Sequence, residues 1–200
     1  MKIDIRPVVE FDQKSFTAAV RSSQWLHQPW VSAPSDHGAF KRYLRKNDGI
    51  SNFGFVVYLP STGQLVGVVN LTNVVYGLFR SGYLSYYAFS GFERQGYMQK
   101  GLRAVVRYAF TKLKLHRLEA NIQPGNVSSI KLVRKCGFTK EGFSPKYLKI
   151  GGRWRDHERW AIVRSARRMR PNQSLPPKRL RASKLTAGRR RSNVSHAVRF

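Results

Sequence analysis

The stretch from Leu84 to Phe138 constrains the fold more than any other part of the chain, because it switches twice between strand and helix periodicity across short polar turns. Residues 84–89 read as an apolar strand, which runs into Glu93-Arg94-Gln95-Gly96-Tyr97-Met98. From Met98 onward Leu102, Val105, Val106, Ala109 and Phe110 keep helical spacing, with Lys100, Arg103 and Arg107 on the opposite side. A strand follows at 118–122. The turn Asn126-Val127-Ser128-Ser129 then opens a basic helix over about 128–136 that stops at Gly137-Phe138. A turn that delivers a strand into a helix N-terminus presents backbone N–H groups and the positive end of the helix dipole, which together favour an anion such as a diphosphate. Gly96, without a Cβ, permits close backbone approach, and Arg94 and Lys100 add positive charge.

The remaining elements complete a mixed α/β pattern. Ile3 and Ile5 predict a first strand, and residues 12–26 and 36–46 predict helices, the second opened by Ser35 or Asp36 as a cap. Residues 53–58 and 65–71 predict strands joined by the turn Ser61-Thr62-Gly63-Gln64. Two late strands, near 142–149 and 153–163, flank Gly151-Gly152.

Charge divides the chain. Thirty-seven Lys and Arg face ten Asp and Glu, a net of +27. Residues 164–200 hold twelve of these cations and no acid, together with Pro171, Pro176, Pro177 and Arg189-Arg190-Arg191. Like charges repel and there is little apolar surface to bury, so this segment is expected to be disordered, with a domain at 1–163 before it. The basic field favours polyanions and predicts contact with rRNA or the ribosome. One cysteine, Cys136, rules out an intramolecular disulfide and a cysteine-cluster zinc site, so no metal is expected. No run of 18 apolar residues and no apolar leader core are present, so a cytoplasmic protein without membrane association is expected.

Together, the Glu93–Met98 loop, the stretch Asn126-Val127-Ser128-Ser129 … Lys135-Cys136-Gly137-Phe138 and the late Trp154-Arg155-Asp156-His157 resemble the GNAT superfamily of N-acetyltransferases. Within it they are most similar to the Rim-type (RimJ/RimL-like) ribosomal-protein-alanine acetyltransferases. The resemblance implies the GNAT acyl-CoA N-acyltransferase fold, an α/β mixed sheet, with acetyl-CoA as co-substrate. It implies that the backbone of Tyr87, Ala88 and Phe89 holds the thioester, and that Arg94, Gln95, Gly96, Tyr97 and Met98 hold the diphosphate. Asn126 is then expected at the pantetheine arm and Ser129 at the thioester sulfur. Lys131, Arg134 and Lys135 are expected near phosphate, while Ile130, Val133 and Cys136 face the core. Glu93 departs from the usual Gln or Arg and sets a carboxylate near phosphates.

A general base is harder to find. Relatives place a glutamate where this chain has Asn121, or a carboxylate where Lys146 precedes Tyr147-Leu148. Glu119 shares a strand face with Asn121 and is the candidate base, with His157 or a water as alternatives. The implied reaction moves acetyl to an amine, with the N-terminus of a ribosomal protein as the expected acceptor. Two alternatives are an inactive GNAT-fold protein that binds RNA or ribosomes, and an acetyltransferase for a small-molecule amine.

Overall fold

The computed structural model describes residues 2–165, so the expectation of a disordered basic segment over 164–200 falls almost wholly outside the described residues. The elements run β1 (Asp4–Pro7), a 3-10 turn (Glu10–Asp12), α1 (Gln13–Ser22), α2 (Gln24–His27), α3 (His37–Lys46), β2 (Phe53–Tyr58), β3 (Leu65–Val75) and β4 (Ser81–Ala88). They continue with α4 (Tyr97–Thr111), β5 (Arg117–Ile122), α5 (Val127–Lys135), β6 (Thr139–Ile150) and β7 (Arg153–Val163). One seven-stranded sheet has the order β1-β2-β3-β4-β5-β7-β6. Among the described residues its neighbours are antiparallel except β4 and β5, which makes the sheet mixed, as expected.

The strand alternation sorts side chains onto two faces. Leu84, Leu118, Ala120 and Ile122 face the helical layer in which Leu102, Val105, Ala109 and Val133 are buried. Tyr87 and Phe89 face the other way, where α1 and α3 bring in Phe16, Val20 and Phe40. Phe16 meets Phe40 edge-on at 5.1 Å and Phe89 at 5.8 Å. Helices on both sides explain why β2 and the first half of β3 are continuous apolar runs.

The helix expected over 12–26 is two helices. Asp12 cannot cap it, because its carboxylate is taken by Arg6 at 2.6 and 2.7 Å and by the Val9 N–H at 2.9 Å. The break falls at buried Ser23, whose hydroxyl donates to the Ala19 carbonyl at 2.6 Å and accepts from the Ser90 N–H at 2.8 Å. That hydroxyl ties α1 to the chain leaving β4, a long-range contact invisible to periodicity. Of Ser35 and Asp36, the two caps expected for α3, Asp36 takes the position and accepts from the Ala39 N–H at 2.8 Å. β3, β4 and β6 extend beyond their apolar runs, because ladder pairing carries polar residues such as Thr72 along with it.

Gly67 sets the distance between α4 and the sheet. A Cβ there would lie 2.5 Å from Met98 Sδ and 2.5 Å from the Tyr87 carbonyl oxygen. The backbone atom cannot yield as a flexible side chain can. Gly67→Ala is therefore expected to destabilise the fold by about 2 kcal/mol, seen as a lower urea midpoint. A midpoint equal to that of the unsubstituted protein would show that the approach is not tight.

Candidate active site

β4 and β5 pair through only three residues each, Ser81↔Arg117, Gly82↔Leu118 and Tyr83↔Glu119. Beyond them the strands part, and β4 runs on to Ala88 while β5 runs on to Ile122. The Phe89 N–H donates to the Val66 carbonyl at 2.8 Å, on the β3 side. Antiparallel alternation puts the Tyr87 amide on that side too, and leaves those of Tyr86 and Ala88 facing the gap. Of Tyr87, Ala88 and Phe89, only Ala88 has its N–H facing the gap. The other two amides face β3, as the strand phase dictates.

The Ala88 carbonyl accepts from His27 Nε2 at 2.8 Å. A carbonyl partner requires that this nitrogen carry the hydrogen. His27 is buried and sits edge-on to the Tyr87 ring at 4.9 Å. Burial pushes its pKa below the ordinary histidine value, and the bond to Ala88 opposes that only partly. Sequence reasoning missed His27, since a lone histidine at the end of a short helix carries no periodic signal.

After β4 the chain folds a loop around its own polar groups. The Gly91 N–H donates to Glu93 Oε2 at 3.0 Å, and Gln95 Nε2 donates to the Gly91 carbonyl at 2.8 Å. Glu93 thus turns its carboxylate onto the loop backbone, which gives the departure at this position a structural purpose. Arg94 and Gly96 adopt left-handed φ values of 59° and 76°. Gly96 is the N-cap of α4, and a Cβ there would meet nothing within 4 Å. Its carbon faces open space in front of the first turn. The side chains of Tyr97 and Met98 are buried, so these residues offer only backbone to an anion.

Across the gap, Asn126 Oδ1 accepts from the Ser129 N–H at 3.1 Å and caps α5. With Asn126 as cap, the Ser129 hydroxyl is released from that task and lies 2.7 Å from the Tyr86 hydroxyl. Burial pushes the Tyr86 phenol above its ordinary range, and the bond to Ser129 pulls it down by less. Arg134 does not reach toward the loop; its guanidinium lies over the Trp160 ring at 5.1 Å. Cys136 is buried, with its thiol pKa raised by that burial, and Ile130 and Val133 join it in the core.

Glu119 and Asn121 lie on the opposite face of β5 from Leu118, Ala120 and Ile122. Glu119 Oε1 accepts from Arg117 Nε at 2.7 Å, and Arg117 also grips Glu141. Beside it Tyr83 hydrogen-bonds Tyr147, its phenol pKa raised first by burial and then by the Glu119 charge. His157 is 1% exposed, with Nδ1 2.9 Å from the Arg155 carbonyl. Asp156 accepts from the Lys146 N–H at 2.7 Å and holds that residue at a left-handed φ of 48°, where the β6–β7 register skips. Trp154 is 61% exposed. With Trp30, Gln123, Gly125 and Asp156 it walls a groove of about 270 Å³ at the open end of β5.

A family profile described as an acetyltransferase (GNAT) domain matches residues 2–139. The chain belongs to the GNAT N-acetyltransferase family. It is 35% identical over 121 residues to the probable N-acetyltransferase YjcK of Bacillus subtilis, covering 60% of this chain and 67% of that protein. It is 39% identical over 113 residues to the ribosomal protein uS5-alanine N-acetyltransferase of Escherichia coli, covering 56% of this chain and 58% of that one. Among solved structures, Mycobacterium smegmatis RimJ in complex with CoA-disulfide superposes with a TM-score of 0.73 at 26% identity, over 80% of this chain and 81% of that chain. The match to the E. coli enzyme thus spans less than two thirds of that enzyme's length.

In this GNAT chain Tyr86 of β4 reaches Ser129 in the first turn of α5, which Asn126 caps, and Gly96 heads α4. Glu119 lies on the far side of the sheet, and His157 is held in the β6–β7 pair. Because burial holds the His27 pKa below its ordinary value in the fold, its share of stability falls as pH drops through the ordinary histidine range. His27→Gln keeps a donor for Ala88 and removes the titration. Its unfolding free energy should therefore fall less between pH 7 and pH 5 than that of the unsubstituted protein. Parallel curves would show that His27 titrates alike in the folded and unfolded chain.

Proposed function

We propose that this protein moves the acetyl group of acetyl-CoA directly onto the N-terminal amine of a ribosomal protein. The parting of β4 from β5 beyond Tyr83 carries this reading. It supports a pantetheine arm running between the strands, with diphosphate at the start of α4 near Arg94, Gln95 and Gly96, and Asn126 beside the arm. The thioester oxygen takes the Ala88 N–H, whose fixed dipole stabilises the charge that develops there.

The amine lone pair forms the C–N bond, the C–S electron pair leaves on sulfur, and the surplus proton of the amine passes to solvent, from which the thiolate regains one. A thiol, at about 8.5 in ordinary surroundings, is a stronger acid than a phenol at about 10. Ser129, backed by a Tyr86 phenol held above its usual range, accordingly acts on the thiolate as a hydrogen-bond donor rather than as a proton donor. Such a bond to a charged atom contributes about 2 kcal/mol.

The acceptor class follows from the weak provision for a base. Glu119 is ion-paired to Arg117 at 2.7 Å, so its carboxylate oxygen is already engaged by a cation. Its role is then to stabilise positive charge on the incoming amine, which must arrive neutral by its own equilibrium. At pH 7 roughly a tenth of an α-amine near pKa 8 is neutral, against well under a thousandth of an alkyl amine near 10.4. A net charge of +27 also repels polyamines and attracts rRNA, and the +12 of residues 164–200 supports ribosome contact through that segment. The E. coli relative's action on uS5 supports the same acceptor.

Coenzyme A release should be measured with acetyl-CoA and either a peptide with N-terminal alanine or spermidine. The peptide is expected to have the higher kcat/KM by at least about tenfold, rising with pH toward about 8. Ser129→Ala should lower kcat by about tenfold or more. Turnover of neither amine, alongside salt-sensitive ribosome binding, would instead favour a non-catalytic ribosome-binding protein.

A further inference from the structure

Two side-chain oxygens beside the parted strands are buried without a hydrogen-bond partner, Tyr87 Oη and Asn121 Oδ1. An unpaired buried polar atom costs about 1–3 kcal/mol, so a pair of them beside a gap in the sheet marks a place where a ligand completes the bonding. Strand alternation sets both on the Glu119 face, one on each side of the gap. Neighbouring polar groups on that face satisfy one another. Tyr43 donates to Asn70 at 2.6 Å, and Asn70 Nδ2 donates to Ser85 at 3.3 Å. Tyr87 stands outside that chain of bonds, although its ring is fixed between His27 at 4.9 Å and Phe89 at 5.9 Å. Only 7% of Tyr87 is exposed, and its burial keeps the phenol protonated.

A neutral primary amine has two N–H donors and one lone pair. Two oxygen acceptors and one electrophilic carbon are its complement. We propose that Tyr87 Oη and Asn121 Oδ1 receive the two N–H groups of the acceptor amine and orient its lone pair toward the thioester carbon at Ala88. The assignment rests on the acetyl-transfer reading above and adds the residues that select a primary amine. It also gives Asn121 a positive role, because an uncharged amide oxygen takes an N–H from an amine that arrives already neutral.

The test uses Tyr87→Phe and Asn121→Leu in the full chain, with acetyl-CoA and the N-terminal-alanine peptide. Each variant should raise the peptide KM by about tenfold, the loss of one hydrogen bond of about 1.4 kcal/mol, and leave the KM for acetyl-CoA within about twofold. Each should also keep or raise the urea midpoint, because it removes an oxygen that has no partner in the free protein. A merely structural role predicts the reverse, a lower midpoint with the peptide KM unmoved. That result, or both KM values moving together, would overturn the assignment. An unsubstituted protein that acetylates neither the peptide nor spermidine would overturn the proposed function first, and this assignment with it.

Discussion

The site depends on keeping two neighbouring strands apart. A sheet gains by closing its ladder, and strand edges inside a protein leave backbone groups that need partners. β4 and β5 nevertheless stop pairing after Tyr83 and Glu119. What holds them open is a set of bonds to third parties. On one face Tyr86 reaches Ser129 at the start of α5, and on the gap side His27 takes the Ala88 carbonyl. Ser23 pins the chain just beyond β4 by accepting from the Ser90 N–H. The bonds from His27 and Ser23 satisfy the Ala88 carbonyl and the Ser90 N–H, backbone groups that would otherwise need a partner, and they leave the Ala88 amide facing the opening.

The same arrangement divides the chemistry between the two faces of the sheet. Ser129, Tyr86, Asn126 and the head of α4 lie with the helical layer, where an acyl carrier can be gripped by backbone and hydroxyl groups. Glu119, Asn121, Tyr83 and Tyr87 lie on the other face, with the groove walled by Trp30 and Trp154 beyond the end of β5. An acceptor approaching from that side meets an ion-paired carboxylate and two oxygens in need of donors, but no strong base. Such a site suits an amine that is already substantially neutral at physiological pH.

Much of this was legible in the residues, and the reason differs element by element. Leu102, Val105, Val106 and Ala109 fixed α4 because helical periodicity is a local property, and Asp36 was recognisable as a cap for the same reason. Asn126 and Ser129 came from a resemblance, and in the fold Asn126 caps α5 while Ser129 meets the Tyr86 hydroxyl. Three things were not legible. The phase of β4, which turns the Ala88 amide to the gap and those of Tyr87 and Phe89 to β3, depends on which neighbour each amide faces. The break at Ser23 and the reach of His27 depend on contacts more than sixty residues away. The ion pair of Glu119 with Arg117 lies two residues along the same strand, yet one pattern fits an ion pair and a free base equally well.

Amide hydrogen exchange with and without acetyl-CoA tests the central claim most directly, because the account assigns each amide of β4 to a side. Phe89 and Tyr87 should be protected in the free protein and change little, whereas Ala88 and the first turn of α4 should gain protection when acetyl-CoA binds. Protection gained at Phe89 but not at Ala88, or binding that leaves the β4–β5 gap unprotected, would contradict the assignment of the parted strands as the acyl-CoA slot.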